Sequence, residues 1–131
     1  MNVVTAWGGT AKQRKLAEDI GYFCIERLMP RMRTLDICID FDIGDEEVAD
    51  GYCLAETKRV FAIQIDPKLK GDEFITALTH ELVHVKQFAK GELDINHRAN
   101  YNTIDEYLDL WYEKEAYQLQ EVLLKEYKEQ R

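Results

Sequence analysis

Apolar positions in the first part of the chain recur at helical spacing. Leu16, Ile20, Phe23 and Leu28 fall near one face of a helix, with polar residues between them. Thr10 and Gln13 carry the signature of a capping box ahead of that run. Met29-Pro30 predicts its end, because the residue before a proline avoids helical backbone. The period then changes. From Leu35 to Phe41 the residues Leu35, Ile37, Ile39 and Phe41 alternate with Asp36, Cys38 and Asp40, the pattern of a half-buried strand. An acidic loop from Asp42 to Gly51 follows. Tyr52–Glu56 and Val60–Ile65 read as two further strands, and the short Thr57-Lys58-Arg59 link makes them a hairpin.

Asp66-Pro67 closes the sheet. Asp72 can cap a second helix that runs to Lys90 and stops at Gly91, with Phe74, Leu78, Leu82, Val85 and Ala89 as its apolar positions. Gly91 to Asn102 is a polar, aperiodic loop. Thr103 and Glu106 repeat the capping-box pattern and open a last helix reaching to the region of Tyr127. The order helix, three strands, helix, loop, helix predicts one small α+β domain over residues 1–131.

Composition narrows the partners. The chain has 131 residues, with 17 Lys+Arg against 25 Asp+Glu and a formal net charge of -8. That charge, with no run of basic residues longer than a pair, argues against self-sufficient binding of nucleic acid or an anionic membrane. No stretch approaches the ~18 apolar residues of a membrane span, and the N-terminus lacks the charge and apolar length of a signal peptide. The three cysteines Cys24, Cys38 and Cys53 form no Cys-x-x-Cys pair, which fits reduced, packed thiols. A cytoplasmic location is the expectation.

Chemistry enters at His80-Glu81-Leu82-Val83-His84, an H-E-x-x-H inside the second predicted helix. A random chain of this composition would contain the pattern only about 0.007 times. Histidines one turn apart stand one above the other, so both imidazoles can reach a single tetrahedral Zn²⁺. Glu81 is rotated to one side, where it can face a water without taking a coordination position. The edge bearing His80 and His84 points roughly 160–200° away from Leu82, so one side of the helix can pack while the other faces a cleft.

The stretch from Val60 through this helix resembles the zincin metallopeptidases. Thr79-His80-Glu81-Leu82-Val83-His84-Val85-Lys86-Gln87 looks most like the small SprT-like and phage-encoded members. In that family the two histidines bind zinc and the glutamate activates the water that attacks a peptide carbonyl. The metzincin branch is excluded, because it would need Gly and His where this chain has Gln87 and Lys90.

A catalytic zinc wants a third protein ligand. Glu113-Lys114-Glu115-Ala116 on the last predicted helix resembles the Glu-x-x-Ala signature of gluzincins and minigluzincins, which maps the ligand onto Glu113 and the small contact residue onto Ala116. Tyr117 stands where the family often has an acidic residue or Asn. Helix periodicity leans the other way: with Leu108, Tyr112, Leu119 and Leu123 as the buried stripe, Glu115 lies about 50° from its centre and Glu113 about 110°. Glu115 is therefore the alternative third ligand, and His97 in the polar loop another. Tyr117 and Tyr101 are candidate donors to a developing oxyanion.

The expectation is a minimal zincin-like zinc metallopeptidase. His80, His84 and Glu113 would hold Zn²⁺, and Glu81 would be the general base in hydrolysing a protein or peptide substrate. The resemblance also implies that the Phe61–Ile65 strand is the sheet edge that aligns an extended substrate. So small a domain implies a shallow cleft, which a protein partner could complete. The rival from another class is a weak or inactive interaction module that keeps zinc for stability. A DNA-associated protease, the second rival, fits poorly with the acidic charge.

Overall fold

A computed structural model describes residues 1–43, 50–97 and 100–130. In chain order the elements are β1 (Val3–Trp7), α1 (Ala11–Leu28), β2 (Asp36–Asp40), β3 (Gly51–Ala55), β4 (Val60–Ile65), α2 (Gly71–Ala89), α3 (Ile104–Asp109) and α4 (Trp111–Glu129). The fold is α+β, as the patterning predicts, with one strand more than expected. Most of the expected acidic loop, residues 44–49, lies outside the described residues.

The local signals at α1 hold in detail. Thr10 Oγ1 accepts the Gln13 amide at 3.1 Å, and Gln13 Oε1 accepts the Thr10 amide at 2.7 Å, so both halves of the capping box form. Ile37 and Ile39 on β2 and Leu35 and Phe41 at its two flanks are all buried, as the alternation requires. β3 and β4 form the expected antiparallel hairpin.

β1 is the strand that no pattern announced. It is short, both its ends are exposed, and only Val4 is buried. Its pairing is long-range: it runs parallel to β2, and the link between them is α1 itself. The strand order is β1-β2-β4-β3, with β2 and β4 parallel. β1 lies so close to α1 that a Cβ on Gly21 would stand 2.7 Å from Val4 Cγ1. The outer edge of β1 is closed by α1 side chains: the Val4 amide donates to the Tyr22 hydroxyl at 3.1 Å and the Ala6 amide to Glu18 Oε2 at 3.0 Å.

The sheet order corrects one expectation. The Phe61–Ile65 strand is interior, flanked by β2 and β3, and β3 is the edge on that side. β4 sits inside because the hairpin folds back between β3 and its parallel partner β2.

Two helix boundaries also differ. Asp72 does not cap α2: Lys70 holds the N-cap position without a side-chain hydrogen bond, and Asp72 lies in the first turn. There it favours the helix dipole and pairs with Lys128 at 2.9 Å. The single last helix is two, because Leu110 takes an extended ψ of 131° and separates α3 from α4. Thr103 caps α3 through the Glu106 amide at 3.1 Å, but the Glu106 carboxylate takes the Asn102 amide instead of completing the box.

The core fills the space between the sheet and the helices. Ile37, Ile39, Ile63 and Ile65 from the strands meet Leu78, Leu82 and Val85 from α2 and Ile20 from α1, all wholly buried. α4 packs on α2, where Ala116 is wholly buried and lets the two helices approach. No helix among the described residues is long and apolar enough to cross a membrane.

Candidate metal centre

α2 places His80 and His84 under α4 and turns Glu81 toward the β3 edge of the sheet. The helix is buried on nearly every face: Leu78, Leu82 and Val85 point to the core while His80, Glu81 and His84 are each only 8% exposed. Buried imidazoles need partners, and α4 supplies one that both share. Glu113, in its first turn, directs Oε1 to His80 Nε2 at 3.0 Å and to His84 Nε2 at 3.3 Å. One atom from each of these three residues lies within 4.8 Å of the others, a spacing that can hold a metal ion.

The far sides of both imidazoles are fixed by glutamines. His80 Nδ1 donates to Gln120 Oε1 at 2.7 Å, and His84 Nδ1 donates to Gln87 Oε1 at 2.8 Å. The orientation of the Gln87 amide is set by its nitrogen, which donates to the Tyr112 carbonyl at 2.9 Å and to Glu115 Oε1 at 3.0 Å. Its oxygen is therefore the atom that faces His84, and an amide oxygen can only accept. Both Nδ1 atoms must carry hydrogen. Nε2 of each ring is therefore the nitrogen turned to Glu113: protonated, it donates to the carboxylate, and deprotonated, it is the atom that could bind a metal ion.

Charge follows geometry. Burial alone would raise the Glu113 carboxyl, but its hydrogen bonds from His80 and His84, and the charge of those rings, outweigh it and hold Glu113 down at about 2. Burial opposes protonation of His84, and the hydrogen bond and charge of Glu113, with the charge of Glu81, reverse this and raise it. Glu81 is raised mainly by burial, against the attraction of His84 and His80. It lies beside β3, where a Cβ on Gly51 would stand 3.1 Å from Glu81 Cγ and 3.2 Å from the Gln64 carbonyl oxygen.

Glu115 is directed elsewhere. Its Oε1 accepts from Lys86 Nζ at 2.9 Å as well as from Gln87, so it braces the residue that orients His84. The stripe argument for Glu115 assumed one continuous helix through Leu108. Leu108 belongs to α3 and Leu119 is only half-buried; the buried face of α4 is Tyr112, Glu113, Ala116, Gln120, Leu123 and Tyr127, and it is Ala116, Gln120 and Tyr127 that centre this face nearer Glu113 than Glu115. Leu108 is 42% exposed. His97 stands apart from the trio, its Nε2 3.0 Å from the Tyr112 hydroxyl.

Of the tyrosines, Tyr117 sets its ring edge-on to His80, with centroids 4.6 Å apart. Tyr101 packs against Tyr107 at 5.0 Å. Tyr107 escaped the sequence reading. Burial, and then the charge of Glu113, raise its phenol, and Tyr107 lines the same cleft as His80, Glu81, His84 and Glu113. Gln87 and Gln120 were missed as well. Gln120 lies two turns past Glu113 on the same face, a spacing visible in the sequence, but a glutamine carries no signal until a buried ring needs an acceptor.

No family model matches the chain, and neither a curated protein nor a solved structure matches it.

Proposed function

We propose that this chain is a zinc-dependent metallopeptidase. The observation that carries the reading is the convergence of His80, His84 and Glu113 within 4.8 Å in a buried site, with Glu81 alongside. Two imidazoles and one carboxylate are the donor set that suits catalytic zinc, which keeps a fourth position open. The fit is supported by the glutamine acceptors, which commit both Nε2 atoms to the same point. When bound, the ion supplies a Lewis acid that polarises a carbonyl and acidifies water.

Glu81 then has the position of a general base. It takes a proton from the attacking water and passes it to the leaving amine as the carbon–nitrogen bond breaks, giving a carboxylate and an amine. The phenols of Tyr107 and Tyr117 line a cavity with His80 and Glu81, and in this reading they donate to the oxyanion. The substrate in this reading is a protein or peptide, reached in a reducing, cytoplasmic compartment that suits the free thiols of Cys24, Cys38 and Cys53.

The test is zinc-loaded wild type against Glu81→Gln on a panel of unfolded proteins. The amide keeps the shape of the side chain and is not a ligand, so the variant retains zinc and loses cleavage. Equal cleavage by both proteins removes Glu81 from the chemistry. A fully zinc-loaded wild type that cleaves nothing on the panel favours the non-enzymatic, zinc-stabilised module.

A further inference from the structure

The cleft beside the trio is asymmetric, and its asymmetry bears on what it accepts. It encloses about 450 Å³. Its floor is α2, from Glu81 to Phe88, and one wall is the edge strand β3. β3 pairs with β4 on one side of its backbone, and among the described residues no strand pairs with it on the other. The opposite edge of the sheet is closed, because Tyr22 and Glu18 occupy the β1 amides. β3 is thus the edge left for an incoming chain, and it runs along the cleft.

The two ends of β3 face different surroundings. At Gly51 the backbone lies against Glu81, with no room for a side chain between them. Toward Ala55 the cleft is lined by Phe88, Leu93, Ile95, Leu54 and Tyr101. Beyond Gly51, in the other direction, an adjoining cavity that shares Gly51, His80, Glu81 and Tyr107 with the cleft is lined by Asp50, Glu73 and Thr76.

Antiparallel pairing is the more stable per residue and the commoner in proteins. A chain antiparallel to β3 enters at Ala55 and leaves past Gly51. With its reacting carbonyl at the trio, the residues preceding that carbonyl lie along the apolar end.

We infer that the cleft selects an extended peptide with a large apolar or aromatic side chain at the first or second position before the cleaved bond. This rests on the peptidase reading. The selectivity over a charged residue at that place is about tenfold to a hundredfold in kcat/KM, the size a single apolar subsite supplies.

The experiment digests reduced, carboxymethylated serum albumin with the zinc-loaded protein and maps the new termini by mass spectrometry. Leu, Phe, Tyr, Trp, Met or Ile is expected in the two positions before the cuts. In the Ile95→Arg and Leu54→Arg variants that preference falls at least about tenfold, while zinc content and melting temperature stay unchanged. Ile95 is half-buried and Leu54 is 48% exposed, so the fold tolerates both changes. Cuts without that preference, or a preference untouched in both variants, overturn the inference and leave the peptidase reading standing. No cuts at all from zinc-loaded wild type overturn both.

Discussion

His84 Nδ1 donates to Gln87 Oε1 at 2.8 Å, a bond between two residues one turn apart on the same buried helix. The amide is itself held by the Tyr112 carbonyl and Glu115, so the imidazole is oriented by a chain of contacts that crosses from α2 to α4 and back. His80 has the equivalent bond to Gln120, reached across the helix pair. Both partners are neutral amides, where metal-bound histidines often meet carboxylates.

Removing either acceptor should loosen the metal without removing a ligand. Gln87→Leu and Gln120→Leu are each expected to weaken zinc binding by roughly 10–100-fold in chelator competition. The imidazole ¹⁵N shifts of the affected ring should also report a mixed tautomer. Unchanged affinity and shifts in both variants would show that these bonds do not orient the ligands.

Glu113 and Glu115 should separate clearly. Glu113→Ala deletes the carboxylate that meets both Nε2 atoms, and zinc affinity should drop by more than about a hundredfold. Glu115→Ala removes only the brace on Gln87 and Lys86, and a loss of about tenfold is expected. Chelator competition on the two variants decides it, and the reverse order would make Glu115 the ligand.

His80→Ala and His84→Ala should each leave the protein with substoichiometric zinc by elemental analysis. Binding at a thousandfold excess over Kd adds about 4 kcal/mol to the wild type. Added zinc should therefore raise the melting temperature of the wild type and not that of either variant. An equal shift in all three proteins would place the metal elsewhere.

Gly21 tests the unannounced strand. Alanine normally improves a helix interior over glycine, but a Cβ here would meet Val4 Cγ1 at 2.7 Å, and Val4 is a stiff, buried side chain. Gly21→Leu should destabilise by about 1–3 kcal/mol in urea unfolding through overpacking of β1 against α1. A stabilised variant would mean that β1 does not pack there.

What the sequence by itself determined is local. The capping box at Thr10, the alternation from Leu35 to Phe41 and the β3–β4 hairpin are written within a few residues, and the structure shows each. The placement of His80, Glu81 and His84 on one helix belongs with them, because side-chain direction along a helix follows from spacing alone. Tertiary structure decided what depends on contacts distant in sequence. β1 is a strand because β2 and α1 receive it, and Val3–Trp7 carries no periodic mark of that. β3 became the edge because parallel pairing drew β4 inward to β2. The position of Glu113 against the histidines depended on which residues of α4 are buried: Ala116 and Gln120 face α2 while Leu119 is only half-buried, a choice that apolar patterning misses because it favours leucine over alanine and glutamine. Gln87 and Gln120 acquire their roles only when two helices meet, since an amide becomes an orienting group when burial leaves an imidazole N–H with no water to bond.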